Sequence, residues 1–138
     1  MKKISLILIM LGSIAFAKPF NAPVQKYINS LKTQAKKSNQ NFIDFSIKRG
    51  KKIFTSYHIG KHGKKISCAS CHTKDLRAKG KHIRTGKIIK PLSPFANHKR
   101  LTKVKDVKKW LRRNFNDVYK RVGTPLEKGD VLYYINSK

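Results

Sequence analysis

The stretch Cys68-Ala69-Ser70-Cys71-His72 contains both cysteines of the chain and a histidine directly after the second one. Two thiols that are separated by two residues can each add to one vinyl group of a haem, and the adjacent imidazole can then bind the iron from the proximal side. The motif therefore predicts one covalently attached haem c, held through Cys68 and Cys71, with His72 as the proximal iron ligand.

Three other interpretations of this motif agree less well with the rest of the sequence. A zinc site uses about four ligands, usually with a second pair of Cys or His at fixed spacing, and the chain has no such second pair. A thioredoxin-like redox pair belongs to a βαβ context, which the sequence does not show. A structural disulfide between Cys68 and Cys71 would leave the position of His72 unexplained.

Residues 1–17 have the pattern of a secretory signal peptide. Lys2 and Lys3 give a charged start, residues 4–16 are largely apolar, and Ala15-Phe16-Ala17 supplies small residues for cleavage. The apolar stretch is too short to span a membrane, and no cysteine lies near the cut to carry a lipid. We therefore expect a periplasmic protein, which agrees with the haem motif because c-type haem is attached on the far side of the membrane.

The remaining residues are strongly basic. The chain has 33 Lys and Arg against 6 Asp and Glu, a formal charge of +27, of which the signal peptide carries only Lys2 and Lys3. An exported protein does not ordinarily meet nucleic acid, so we expect an acidic protein surface or an anionic membrane surface as partner and no nucleic acid. The alternative is a set of solvated lysines without a partner, since net charge does not identify a specific site.

The hydrophobic pattern predicts an all-α protein without strands. Apolar residues recur at helical spacing over 23–36, 42–54 and 103–120, with Thr102 as the cap of the third helix. Gly50 lies within the second helix, where it costs about 1 kcal/mol relative to Ala, so we expect another backbone or the haem to pack against it. A last helix begins at Thr124, because Pro125 and Glu127 complete a capping box. We predict an N-terminal helix and linker over 18–41 and a monohaem domain over 42–138. We expect the protein to be a monomer.

Two long segments have no helical pattern. Residues 55–67 form a polar loop that leads to the haem motif, and residues 75–101 form an irregular loop with Gly and Pro at intervals. A loop of the second kind usually has a function, and in a haem protein it would wrap the haem edge. We predict Arg84 and Lys87 as partners of the haem propionates, although each taken singly also fits a solvated surface position.

The residue on the other face of the iron is not fixed by the motif. Many electron-carrying cytochromes use Met as the sixth ligand, but the only methionines are Met1 and Met10, within the signal peptide. His/Met ligation is therefore excluded for the mature protein. The remaining alternatives are an Asn, a Lys, no ligand at all, or one of the histidines, which are His58, His62, His82 and His98.

Asn114 is a polar residue on the apolar stripe of the third helix. It lies seven residues after Val107, three after Leu111 and four before Val118, so it shares their face. A buried amide without a partner costs about 1–3 kcal/mol, and Asn114 should therefore have a specific partner. That partner is either a backbone group, which the pattern alone favours, or the iron.

Several motifs resemble one known family. The chain is similar to class I cytochromes c in Arg49-Gly50, Ile53-Phe54, the haem motif and the C-terminal helix. It resembles the sphaeroides haem protein family in four further stretches between about residues 44 and 136: Arg84-Thr85-Gly86-Lys87, Pro91-Leu92-Ser93-Pro94, Lys109-Trp110-Leu111-Arg112-Arg113-Asn114 and Thr124-Pro125-Leu126-Glu127-Lys128-Gly129-Asp130.

The resemblance implies a class I cytochrome c-like fold in which His72 and Asn114 bind the iron and Trp110 lies in the haem-binding region. In that family the asparagine leaves the iron on reduction, and ferrous haem can then bind O2, NO or CO. A cysteine pair of the best-known member falls here on Phe115 and Gly123, so this chain lacks that disulfide. The N-terminal helix and the lysine excess go beyond the resemblance.

The sequence therefore predicts a cytochrome that carries single electrons and is not an enzyme. By resemblance its partners are multihaem or membrane-bound cytochromes. The first alternative is a plain electron carrier with a permanent His or Lys distal ligand. An oxygen or nitric oxide reductase or a peroxidase is a weaker alternative, because no distal acid–base group is evident. A haem-free cationic protein is the third.

Overall fold

The computed structural model describes residues 17–138. These residues form five helices and four strands of two residues each, which confirms the predicted all-α class while adding two small hairpins. The helices are α1 (Ala22–Ser38), α2 (Ile47–Thr55), α3 (Ala69–His72), α4 (Val104–Tyr119) and α5 (Pro125–Asn136), and the strands are β1 (His58–Ile59), β2 (Lys65–Ile66), β3 (Gly80–Lys81) and β4 (Ile88–Ile89). Almost all of the predicted signal peptide lies outside the described residues. Within them, no helix has the length and apolar character needed to cross a membrane.

The prediction of no strands was wrong in both loops. β1 pairs antiparallel with β2 inside the segment predicted as a polar loop, and β3 pairs antiparallel with β4 inside the long irregular loop. Gly63 lies in the turn of the first hairpin with a φ of +73°, which glycine adopts without strain. Strands of two residues are too short to show a period of two, so the sequence pattern could not reveal them.

Helix α2 begins five residues later than predicted. Ser46 is its N-cap, and the Ser46 hydroxyl accepts a hydrogen bond from the Arg49 backbone N–H at 3.2 Å. The Ser46 backbone N–H donates to the buried carboxylate of Asp130 at 2.7 Å, and the Arg49 side chain pairs with the same carboxylate at 2.7 Å. Phe42 and Phe45 are buried, but they precede the helix. The bonds of Ser46 and Arg49 to Asp130 fix the start of α2 after them.

Helix α2 crosses α5 at Gly50, and this crossing is the largest contact between helices in the described chain. A Cβ atom at Gly50 would lie 2.0 Å from the carbonyl oxygen of Asp130 and 2.9 Å from the Cβ of Tyr134. The close backbone approach expected at Gly50 is therefore confirmed. It brings the C-terminal helix onto the short helix that precedes the haem motif.

The start of α5 agrees with the prediction and the start of α4 does not. Thr124 accepts from the Glu127 backbone N–H at 3.2 Å, and Glu127 accepts from the Thr124 backbone N–H at 2.8 Å, which completes the capping box. Helix α4 has Lys103 at its N-cap without a side-chain cap. Thr102 does not cap it, because the Thr102 hydroxyl donates to the carbonyl of Lys99 instead, at 2.9 Å.

Helix α1 packs across α5 and touches α4. Its buried face consists of Val24, Ile28, Leu31 and Ala35, and Asn21 caps it as a side-chain acceptor. The Asn21 amide also donates to the carbonyl of Thr102 at 2.8 Å, just before α4 begins. The N-terminal helix is therefore an integral layer of the same core.

Candidate haem-binding site

Helix α3 presents the two cysteines of the motif. Cys68 and Cys71 are free thiols, both half-buried, and the Ser70 hydroxyl accepts a hydrogen bond from the Ser67 backbone N–H at 2.9 Å. Burial raises the pKa of Cys68 to about 12, so this thiol is neutral at physiological pH and is a weak nucleophile. A sulfur in such apolar surroundings fits the thioether that haem attachment would leave there.

His72 ends α3 as a neutral imidazole. Burial lowers the pKa of His72 to about 4, with further contributions from the charges of Arg100 and His82. Its Nδ1 atom is buried and has no hydrogen-bond partner among the described residues. A neutral imidazole is the form that binds a metal, and a buried ring nitrogen without a partner is costly. The state of His72 therefore fits its predicted role as the proximal ligand.

The long loop lies against α3 at Gly80. A Cβ atom at Gly80 would lie 2.1 Å from the carbonyl oxygen of Cys71, so only glycine fits where β3 passes the motif. The backbone N–H groups of Leu92 and Ser93 both donate to the carbonyl of Leu76, at 2.9 Å each. Leu76 and Pro91 both belong to the long loop, so these bonds close the loop on itself, and its predicted contact with the haem edge stays a prediction.

Arg100 belongs to this site but was not predicted. Its Nε atom donates to the carbonyl of Pro91 at 2.9 Å and its Nη2 atom to the carbonyl of Lys90 at 2.8 Å. Burial lowers the pKa of Arg100, although the guanidinium stays charged. The next residue, Leu101, has a φ of +55°, an unusual backbone state for a leucine. A basic residue among many gave no sequence signal for this position.

The two predicted propionate partners are not brought to the motif by any contact in the structure. Arg84 and Lys87 are both exposed, in the turn between β3 and β4. In that turn His82 Nδ1 accepts from the Thr85 backbone N–H at 3.2 Å. The roles of Arg84 and Lys87 toward a propionate stay predictions.

Asn114 lies where its helical spacing placed it. Val107, Leu111, Phe115 and Val118 form the buried face of α4, and Asn114 is half-buried at the edge of that face. Its amide makes no hydrogen bond with another described residue, so the backbone partner that the pattern alone favoured is not found. Neither amide atom is among the described buried polar atoms without a partner, so the amide is accessible at the surface of the helix and is available to a bound group.

Trp110 lies one turn before Asn114 and is 45% exposed. Lys109 and Arg113 lie over its ring, at 5.0 Å and 5.1 Å from the ring centroid. Its predicted contact with haem stays a prediction.

His58 is the other histidine with an unusual environment. Its Nε2 atom is buried without a partner among the described residues, and its ring lies 4.2 Å from the ring of Tyr119. The Tyr119 hydroxyl donates to the carbonyl of Ile53 at 2.6 Å. Burial, followed by the neighbouring Cys68 and Glu127, raises the pKa of Tyr119 to about 12. His62 and His98 are exposed, so His58 is the histidine that best maintains the alternative of a permanent distal ligand.

Comparison with known proteins gives three consistent results. The family model described as a domain of unknown function, DUF1924, matches residues 40–135. The chain is 42% identical over 87 residues to the cytochrome c-type protein SHP of Cereibacter sphaeroides, covering 63% of this chain and 67% of that protein. It is 34% identical over 129 residues to cytochrome c'' of Methylophilus methylotrophus, covering 92% of this chain and 87% of that protein.

Solved structures of the same two proteins share the fold. The crystal structure of oxidized cytochrome c'' from Methylophilus methylotrophus matches with a TM-score of 0.73 at 33% identity, over 81% of this chain and 91% of that chain. Oxidized SHP, described as an oxygen-binding cytochrome c, matches with a TM-score of 0.72 at 34% identity, over 83% of this chain and 96% of that chain.

These relatives are cytochromes, which agrees with the expectation of a haem protein that is not an enzyme. The class I-like fold, the motif and the relatives together place this chain in the family of the sphaeroides haem protein and cytochrome c'', as a c-type cytochrome.

Proposed function

We propose that the protein carries single electrons in the periplasm through one haem, attached covalently at Cys68 and Cys71 with His72 and Asn114 as axial ligands. The observation that carries the proposal is the position of Asn114, half-buried at the edge of the apolar face of α4 with an accessible amide that no described residue binds, in a chain without methionine after residue 10. By resemblance, a multihaem or membrane-bound cytochrome supplies or accepts the electron.

Asn114 also determines how the site responds to reduction. An amide oxygen is a weak, hard donor that suits ferric iron better than ferrous iron. A haem held by His72 and Asn114 would lose the amide on reduction and would then be able to bind small diatomic molecules. The relative SHP is described as oxygen-binding, which supports this assignment by analogy.

The surrounding residues hold the ligands in place. The neutral state of His72 leaves its imidazole ready to bind without first losing a proton. Helix α4 holds Asn114 on a rigid element, since its buried face packs into the core and Tyr119 ties its last turn to α2. A bound haem supplies a one-electron couple, and these residues set its coordination.

The test of the distal ligand is a pair of substitutions at Asn114. Asn114→Ala should leave the haem content and helix content intact while changing the ferric absorption spectrum to that of a water-ligated or five-coordinate site. Asn114→Val keeps much of the side-chain volume without the donor and should show the same spectral change, which separates ligation from a packing cavity. Reduced wild-type protein should be high-spin and should bind carbon monoxide.

A plain electron carrier with His58 as a permanent ligand is the second candidate, favoured by the buried Nε2 of that residue. In that case the ferrous wild-type protein would stay low-spin and refuse carbon monoxide, and Asn114→Ala would leave the ferric spectrum unchanged. His58→Ala, and not Asn114→Ala, would then change the spectrum. Either of the first two results rejects Asn114 as the ligand.

The covalent attachment is tested separately. The haem should remain with the denatured protein through acid–acetone extraction, and mass spectrometry should show thioether links at both cysteines. Cys68→Ser and Cys71→Ser should each retain one link. A haem that extracts freely from the wild-type protein would reject covalent attachment.

A further inference from the structure

The β1–β2 hairpin has an inner face and an outer face. Successive residues of a strand point to opposite sides. His58 points inward, with its ring on Tyr119, so its neighbours Tyr57 and Ile59 point outward and are 55% and 56% exposed. On β2, Ile66 pairs with His58 and is half-buried, while Lys65 pairs with Ile59 and is exposed.

The outward side of this hairpin is basic as well as apolar. Residues 56–66 contain three exposed lysines and no carboxylate. The outer hairpin face, as we call it, consists of the outward residues Tyr57, Ile59 and Lys65 together with the exposed turn lysines Lys61 and Lys64. It therefore combines an apolar centre of two side chains with positive charge along one edge.

This face lies next to the haem attachment point. Ile66 is two residues before Cys68, and the inner residue His58 contacts Tyr119 of α4, the helix that carries Asn114. The inner face therefore packs on α4, and the outer face points away from that helix.

We propose that the outer hairpin face is the docking surface for an acidic redox protein. This rests on the proposed function, since it assigns the place where the electron enters or leaves. Specific protein–protein interfaces usually have an apolar centre and a polar or charged rim. Complementary charge accelerates encounter, and a transient contact of this kind suits electron transfer.

The test is the rate of reduction by flavodoxin, an acidic flavoprotein, photoreduced to its one-electron donor state. The second-order rate constant of the holoprotein should fall steeply as the ionic strength rises from about 0.01 M to about 0.15 M, because the Debye length then shrinks from about 30 Å to about 8 Å. A triple variant with Lys61→Gln, Lys64→Gln and Lys65→Gln should react at least about tenfold more slowly at the low ionic strength, since it lacks the steering charges.

A matched triple variant removes the same charge elsewhere. Lys26→Gln, Lys37→Gln and Lys48→Gln change exposed lysines of α1 and α2, and they should lower the rate less than about twofold. The double variant Tyr57→Ser and Ile59→Ser should slow the reaction without changing its salt dependence, because it removes apolar contact and no charge. Reduction by dithionite should be the same in all variants, which shows that the haem site is intact.

Equal slowing by the two triple variants would overturn the docking face. So would a wild-type rate that is flat with salt in a protein that dithionite reduces normally, and both results leave the proposed haem site standing. Failure to find covalent haem would instead overturn the proposed function itself.

Discussion

Arg100 donates hydrogen bonds to two consecutive backbone carbonyls, those of Pro91 and Lys90, at 2.9 Å and 2.8 Å. The Asn97 amide donates to the same Pro91 carbonyl at 3.2 Å. These bonds hold the positively charged guanidinium group of Arg100 in a half-buried position. It is close enough to His72 to contribute to the lowered pKa of that residue. No salt bridge within residues 17–138 neutralises it.

We predict that Arg100→Gln lowers the reduction potential of the haem. A fixed cation favours the reduced iron, which has one positive charge fewer, so its loss should shift the equilibrium toward the ferric state. We expect a shift of about tenfold, which corresponds to about 59 mV for a one-electron couple. Spectroelectrochemical titration measures it.

Lys99→Gln is the control for Arg100, because it removes the same charge at an exposed neighbouring side chain. It should change the potential much less. Arg100→Lys keeps the charge and should retain most of the wild-type potential. A potential that falls as far in Arg100→Lys as in Arg100→Gln would mean that the charge is not the cause.

The crossing of α2 and α5 predicts that Gly50→Ala destabilises the protein. The added methyl group would lie 2.0 Å from the Asp130 carbonyl oxygen, and overpacking of this kind costs about 1–3 kcal/mol. This destabilisation should exceed the gain of roughly 1 kcal/mol that alanine has over glycine in a helix interior. Urea unfolding of the holoprotein measures the change. Lys51→Ala, at the exposed next position, should stay within about 0.5 kcal/mol of wild type.

Glu127 should make the stability depend on pH in the acid range. Hydrogen bonds from Arg121, at 2.7 Å and 2.6 Å, lower the pKa of Glu127 below its usual 4.5, with further help from the Thr124 backbone. Because the folded pKa is the lower one, this stabilisation is present above pH 4.5 and is lost as the pH falls through the folded value.

Glu127→Gln should therefore lower the free energy of unfolding at pH 7. On acidification, the variant should then lose less stability than the wild-type protein does. Unfolding midpoints in urea at pH 7 and at about pH 3.5 test this difference. Asp106→Asn is a suitable control, since Asp106 is an exposed carboxylate on α4. An equal acid-induced loss in Glu127→Gln and wild type would contradict the assignment.

The features that the sequence predicted correctly are those encoded by local pattern. The cytochrome family is indicated by five consecutive residues, the capping box of α5 needs only Thr124 and Glu127, and the stripe of α4 placed Asn114 at the edge of its buried face. Each depends on spacing along one element, which can be read without knowing the fold.

The features that were missed depend on contacts between distant segments. Helix α2 begins at Ser46 and not at Phe42 because Asp130, 84 residues later, accepts its backbone N–H. Arg100 is one of 33 basic residues, and only the folded loop shows that its guanidinium group donates a hydrogen bond to the Pro91 carbonyl. Tertiary contacts decide such cases, and a linear pattern does not contain them.

The hydrogen bond from the Lys61 backbone N–H to the Asp117 carbonyl, at 2.8 Å, joins the hairpin to the last turn of α4. Asp117 lies three residues after Asn114, so a protein that binds the hairpin contacts the same helix that carries the proposed distal ligand. Thermodynamic linkage makes any such influence mutual. If docking shifts the helix, then the presence or absence of a gas molecule at the iron must alter the affinity for the redox partner by the same factor.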